Sequence, residues 1–185
     1  MLWPVLERIY DLNLLYDNSR EAVKQRKEFL QKEQLGICDI VESCEREKVD
    51  ASDLGMQQIV TRDLFEQISL YPSLDTLLFM GGNSKNGPEY LFRRELKKRG
   101  LSPLCYRDRV PRVHGFRYME REIMTVSLTS PSNAANRAIG STELYKRRKR
   151  ENPDYSTLEY RMEQYKQIFI EERYRDNGYY STTPS

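Results

Sequence analysis

The stretch LDTLLFMGG, residues 74–82, constrains this chain more than any other. It is apolar nearly throughout and closes on two glycines. A strand with one wet face alternates polar and apolar residues, whereas one that stays apolar is covered on both faces. A central strand between two helical layers meets that condition.

The rest of the chain supplies such layers. Leu2, Trp3, Val5, Leu6 and Ile9 have helical spacing, with Pro4 in the first turn where its ring is tolerated. Residues 18–36 read as a second helix, capped by Asn18 or Ser19 and stopped by Gly36. ICDIV, 37–41, reads as a short strand, and 43–60 as irregular. A helix over 61–72 is capped by Thr61 and ends before Pro72. Residues 87–100 form a helix with Pro88 at its start and Gly100 as its stop. A strand near 103–107 and a hairpin, with His114 in its turn, lead into a core strand at about 122–128. Residues 129–154 read as irregular and basic. Ser156 and Glu159 make a capping box for a last helix, whose apolar face is Leu158, Met162, Tyr165, Ile168 and Phe169. The alternation predicts an α/β fold: three layers, α/β/α, around a mostly parallel central sheet. Residues 1–172 form one domain, and 173–185 a flexible tail.

No apolar run is long enough to span a bilayer, and MLWPVLERIY lacks the basic and apolar regions of a signal peptide. The three cysteines, Cys38, Cys44 and Cys105, form no CxxC pair, and His114 is the only histidine. A disulfide framework and a zinc site are therefore not expected, and a reducing, cytoplasmic setting is. Net charge is only +2, but residues 137–150 hold six Arg or Lys against one Glu. That local excess suits phosphates, or else an ordinary solvated face.

Sheets of this kind bind ligands beyond the carboxyl ends of their strands. Three segments are expected there: 38–46, 81–87 and 128–136. Gly81, Gly82 and Asn83 begin a glycine-rich turn before a helix, whose amides can face an anion, or which is simply a tight turn needing positive φ at two glycines, or whose glycines admit something flat; the P-loop spacing is absent. Asp39, inside an apolar run, needs a partner or a ligand edge. Ser127, Thr129, Ser130, Ser132, Asn133 and Asn136 are short donors and acceptors around the stiffening Pro131, a set that phosphate contacts use. Lys146, Arg147 and Arg148, followed by Lys149 and Arg150, would neutralise flanking phosphates. The alternative is a plain Ser/Asn turn feeding a helix.

GICDIVESCER, LLFMGGNSKNGPEYLFRR and SLTSPSNAAN, in this order, resemble the uracil-DNA glycosylase superfamily, nearest its small bacterial hypoxanthine-DNA or mismatch glycosylase branch. The resemblance covers roughly residues 1–170. It implies base-excision repair: a flipped nucleotide and hydrolysis of its N-glycosidic bond, by a monomer acting on DNA without metal or organic cofactor. It implies that 129–136 is the second motif, which compresses the DNA backbone and fills the gap left by the flipped base; this loop lacks the histidine that the wider family often has there. Asp39 falls near the family's base-reading Asn; an Asp reads a donor edge, or reads as the protonated acid. Gly81, Gly82 and Asn83 join it in the implied base pocket. The family's first strand and first motif, with the main catalytic residue, precede its first helix. MLW resembles the point just after them, so the catalytic residue is expected upstream of Met1. Either the sequence starts late or catalysis is lost. Two other readings stand beside this one, a nucleic-acid-binding protein without chemistry and a nucleotide-handling enzyme using 81–87.

Overall fold

The computed structural model describes residues 2–46 and 53–172. The tail expected at 173–185 lies outside the described residues, as does Met1. Helices α1 (Leu2–Ile9) and α2 (Arg20–Lys32) come first. Ser19 caps α2 by accepting the Ala22 amide; the helix stops at Lys32, and Gln34 (φ 51°), not Gly36, takes the left-handed turn beyond it. A hairpin follows, β1 (Val41–Arg46) and β2 (Met56–Thr61), then α3 (Leu64–Leu70), capped by Asp63 rather than Thr61. Next come β3 (Thr76–Phe79), α4 (Pro88–Lys98), β4 (Leu104–Arg107), β5 (Arg112–Tyr118) and β6 (Arg121–Ser127). The segment expected to be irregular beyond 129 folds into α5 (Asn136–Ser141) and α6 (Glu143–Glu151). The expected capping box, Ser156 with Glu159, opens α7 (Thr157–Lys166), which widens into a π turn over Gln167–Glu172.

The main sheet has the order β3-β6-β5-β4. Its helices and strands make a mixed α/β fold, but the sheet is not mostly parallel. Only β3 and β6 run parallel, with Phe79 opposite Ser127; β6–β5 and β5–β4 are antiparallel. The cause is local. Met119 (φ 49°) and Glu120 (φ 61°) make a two-residue turn, and so tight a link joins only antiparallel strands. His114 lies within β5 and not in a turn.

Strand alternation splits the core into two clusters. Leu77 and Phe79 of β3 face Leu64, Phe65, Ile68, Phe92 and Leu96 of α3 and α4. Leu78, with Met80 just beyond, faces Val5, Leu6, Phe29 and Tyr165, with Ile168 and Phe169. Helices thus cover both faces of the sheet. Each buried Phe or Leu contributes roughly 1.5–3 kcal/mol.

The expected strand at 37–41 is displaced. Ile37 is 56% exposed, and pairing starts at Val41, in a hairpin outside the main sheet. The physical reason is composition: VESCER is exposed at most positions and has no apolar face to bury in a sheet centre. The hairpin lies along α4 instead. The Asn86 side chain donates to the Asp53 and Met56 carbonyls before α4, and Thr61 donates to Glu95 in its later turns.

Candidate nucleic-acid interface

β3 and β6 end side by side, and the Leu128 amide donates to the Phe79 carbonyl, one step past the ladder. The segments 81–87 and 128–136 therefore leave from one rim. β5 runs the other way, so its first residue, Arg112, joins them opposite Ser127.

Asp39 does not. It is exposed and precedes β1, and its carbonyl accepts from Arg62 at the Thr61 end of the hairpin, beside the later turns of α4. It is not a buried strand carboxylate, because the apolar run around it never enters the sheet.

The 81–87 turn is closed from within. A side-chain carbon on Gly87 would stand 2.5 Å from the Gly82 carbonyl oxygen, so the chain crosses itself where only glycine fits. What the glycine at 82 admits is the flat Arg112 guanidinium, 3.0 Å from where a side-chain carbon would be. Arg112 is in turn paired with Glu89, through Nη2 at 2.5 Å and Nε at 3.1 Å. Glu89 is 2% exposed in the first turn of α4, and Arg93 Nε lies 3.3 Å from its other oxygen. The protein's own carboxylate thus occupies the positive end of the helix. Asn83, Ser84 and Lys85 are exposed; Gly81 is buried against Pro88. His114 is 4% exposed and its Nε2 lies 2.7 Å from Arg93 Nη2. Burial first, and Arg93 next, push its imidazole below its ordinary value, toward the neutral form.

The 129–136 turn is built differently. Three consecutive-turn side chains of α7 rivet it. Gln164 accepts the Thr129 amide at 2.7 Å, and the Tyr165 hydroxyl donates to the Thr129 carbonyl at 2.7 Å. Arg161, fully buried, donates to the Ser130 carbonyl at 2.9 Å, the Ser132 carbonyl at 2.8 Å and Asn136 Oδ1 at 2.9 Å. It also donates to its own helix at Thr157. Burial pulls its pKa down, yet a guanidinium starts so high that it stays charged. No carboxylate among the described residues pairs with it. Its partners are dipoles, and its charge is felt through the turn they form.

The turn's own polar groups divide accordingly. Ser132 and Asn133 are exposed, and Ser130 Oγ accepts the Ser132 amide. Ser127 is 1% exposed, its hydroxyl facing the α4 side without a partner among the described residues. Last in a strand whose alternate residues pack on α4, it cannot reach a ligand outside the rim. Asn136 points inward to Arg161 and serves the turn's shape. Gln164 and Arg161 were the residues hardest to foresee. Their signal is two polar positions at 161 and 164 flanking the apolar stripe 158, 162, 165.

Beyond the turn, α6 carries five cations, Lys146 to Arg150, against Glu143 and Glu151. Lys146 pairs with Glu143 at 2.8 Å, while Arg147 and Arg148 reach Glu151 only at 3.9 and 3.8 Å. Arg150 has no carboxylate partner among the described residues. An open depression of about 390 Å³ lies here, lined by Gly140, Tyr145, Lys146, Lys149 and Arg150. Tyr145 packs against Tyr155 and Tyr160, so α6 docks on the same helix, α7, that holds the turn.

Comparison with protein-family models, curated proteins and solved structures gave no match to this chain. Among the described residues, no helix is long and apolar enough to cross a membrane.

Proposed function

We propose that this is a DNA glycosylase-like protein of base-excision repair, which grips a DNA strand with the 129–136 turn and the cationic face of α6. One observation supports this most: Arg161 is a buried, permanent charge with no carboxylate partner among the described residues, placed directly beneath a turn whose outer residues are Ser130, Ser132 and Asn133. Burying a charge without a counter-charge is costly. A phosphate across the turn would supply the missing negative charge, and α6 would neutralise its neighbours.

The flipped base, uracil or hypoxanthine, would lie against the exposed Asn83, next to the turn, since Gly81 packs on Pro88 and Arg112 fills the space at Gly82. The catalytic motif would come from a segment upstream of Met1. β3 leaves room for it: among the described residues its outer edge is unpaired although its side chains are apolar, an arrangement that invites another strand. Among the described residues the one buried rim carboxylate, Glu89, is held by two arginines and is not free to activate water. That favours the companion reading, that this chain alone binds nucleic acid without chemistry.

The test is paired. Residues 1–185 should bind a uracil- or hypoxanthine-containing duplex with an affinity that falls steeply with salt, and release no base. A chain extended upstream should release it. No binding at low salt would overturn the proposal, and base release by residues 1–185 would overturn the upstream assignment.

A further inference from the structure

The side of β4 and β5 turned toward α4 carries donors that the interface leaves unused. Cys105 in β4 lies across from His114 in β5. Simple alternation would send Asp108 to the face opposite Cys105. The register shift between Cys105 and Arg107 reverses that parity, as an inserted residue does. The Cys105 sulfur, an Asp108 carboxylate oxygen and a His114 ring nitrogen then lie within 4.8 Å of one another.

In a tetrahedral zinc site, bonds of about 2.0–2.3 Å put ligand atoms about 3.5 Å apart. The remaining gap is small. Cys105 and Asp108 are exposed, and among the described residues neither side chain is held by a hydrogen bond or ion pair. They are free to close on His114, which is buried and fixed.

Arg93 decides how such a site would work. A guanidinium only donates, so His114 Nε2 accepts from it at 2.7 Å. A neutral imidazole has one lone pair. A cation arriving at Nε2 displaces Arg93. A cation arriving at Nδ1 sends the ring proton to Nε2, where it meets Arg93's own hydrogens. Either way the ion and Arg93 exclude each other.

We propose that Cys105, Asp108 and His114 form a three-ligand site for a borderline-soft divalent cation of the zinc class, with Arg93 occupying the His114 lone pair while the site is empty. Thiolate and imidazole donors select zinc or cobalt(II) over magnesium or calcium, and three protein ligands leave a fourth position to solvent. Binding releases the Cys105 thiol proton. The freed Arg93 stays beside Glu89, so filling the site adds to the charge facing the Glu89–Arg112 pair under Gly82. The single histidine that argued against zinc in the sequence is all that this ligand set requires.

The test is a cobalt(II) titration of the full chain under reducing conditions, read by the thiolate-to-cobalt charge-transfer band and displaced by zinc. One equivalent should saturate it. Cys105→Ser should abolish the band, Asp108→Asn should weaken binding about tenfold or more, and Cys38→Ser with Cys44→Ser should leave it intact. Arg93→Ala should tighten binding about tenfold, the scale of one charge-assisted hydrogen bond lost by the empty state. No band, a band that survives Cys105→Ser, or one that follows Cys38 and Cys44 would overturn the site. An unchanged affinity in Arg93→Ala would overturn the exclusion by Arg93.

Discussion

Two turns leave the same rim, and they answer the question of anion binding in opposite ways. Residues 81–87 have the glycines and the following helix, yet the positive end of that helix is filled by Glu89, and the opening at Gly82 by Arg112. Residues 129–136 have no glycine, yet they cover a cation that has no carboxylate partner among the described residues. Glycine content reports where a chain turns tightly. Charge accounting beneath the turn reports what it can hold.

Substitutions can break this contrast. The largest effect is expected from Arg161→Ala, which strips the fork from Ser130, Ser132 and Asn136. Three acceptors lose a charged donor, so urea denaturation should show a loss of about 4 kcal/mol. Arg161→Lys keeps the charge without the fork; it should lose about half as much stability and retain more DNA affinity than Arg161→Met. Equal affinities for the Lys and Met variants would remove the buried charge from the account.

Glu89→Gln tests the other turn. It leaves Arg112 and Arg93 without their counter-charge and should cost about 3 kcal/mol by the same measurement. In the folded fraction, DNA affinity should stay equal or rise, since a net positive rim replaces a compensated one. A clear fall would mean that Glu89 serves the ligand.

Lys149→Gln with Arg150→Gln acts on α6 alone. The plot of log affinity against log salt should become shallower by about 1.8, two phosphate contacts' worth, with little change in stability. An unchanged slope would take α6 off the DNA.

The smallest effect is a control at the far end of α7. The Ser156 amide and hydroxyl hold Glu159 below its ordinary value. A depressed carboxylate stabilises the fold above the unfolded group's pKa, and that contribution disappears as pH falls through the lower folded value. Glu159→Gln should therefore flatten stability slightly below about pH 4 and leave DNA binding unchanged at neutral pH.

Much of this architecture was legible in residues. LLFMGG gave a buried strand, Pro88 and Gly100 bracketed α4, and Ser156 with Glu159 opened α7, because each signal is local. The sheet's direction was not legible, since β5 and β6 meet through Met119 and Glu120, neither a typical left-handed residue. The displaced strand misled for a related reason: ICDIV is apolar in sequence, but among the described residues its neighbours VESCER pair only with β2, seventeen residues away in register at Ser43–Val60 and nearer at Arg46–Met56. At the site, the outward Ser132, Asn133 and the α6 cations could be read from composition. Their support could not. Arg161 and Gln164 look like surface residues in a sequence, and only the packing of α7 under the turn reveals them as its fastening.

The account stands most directly on a hydrogen-exchange footprint of the full chain with a uracil- or hypoxanthine-containing duplex at low salt. It predicts slowed exchange at 130–134 and along 146–150, with 81–87 less affected. Protection centred on 81–87 with none at 130–134, or protection at neither, would contradict it.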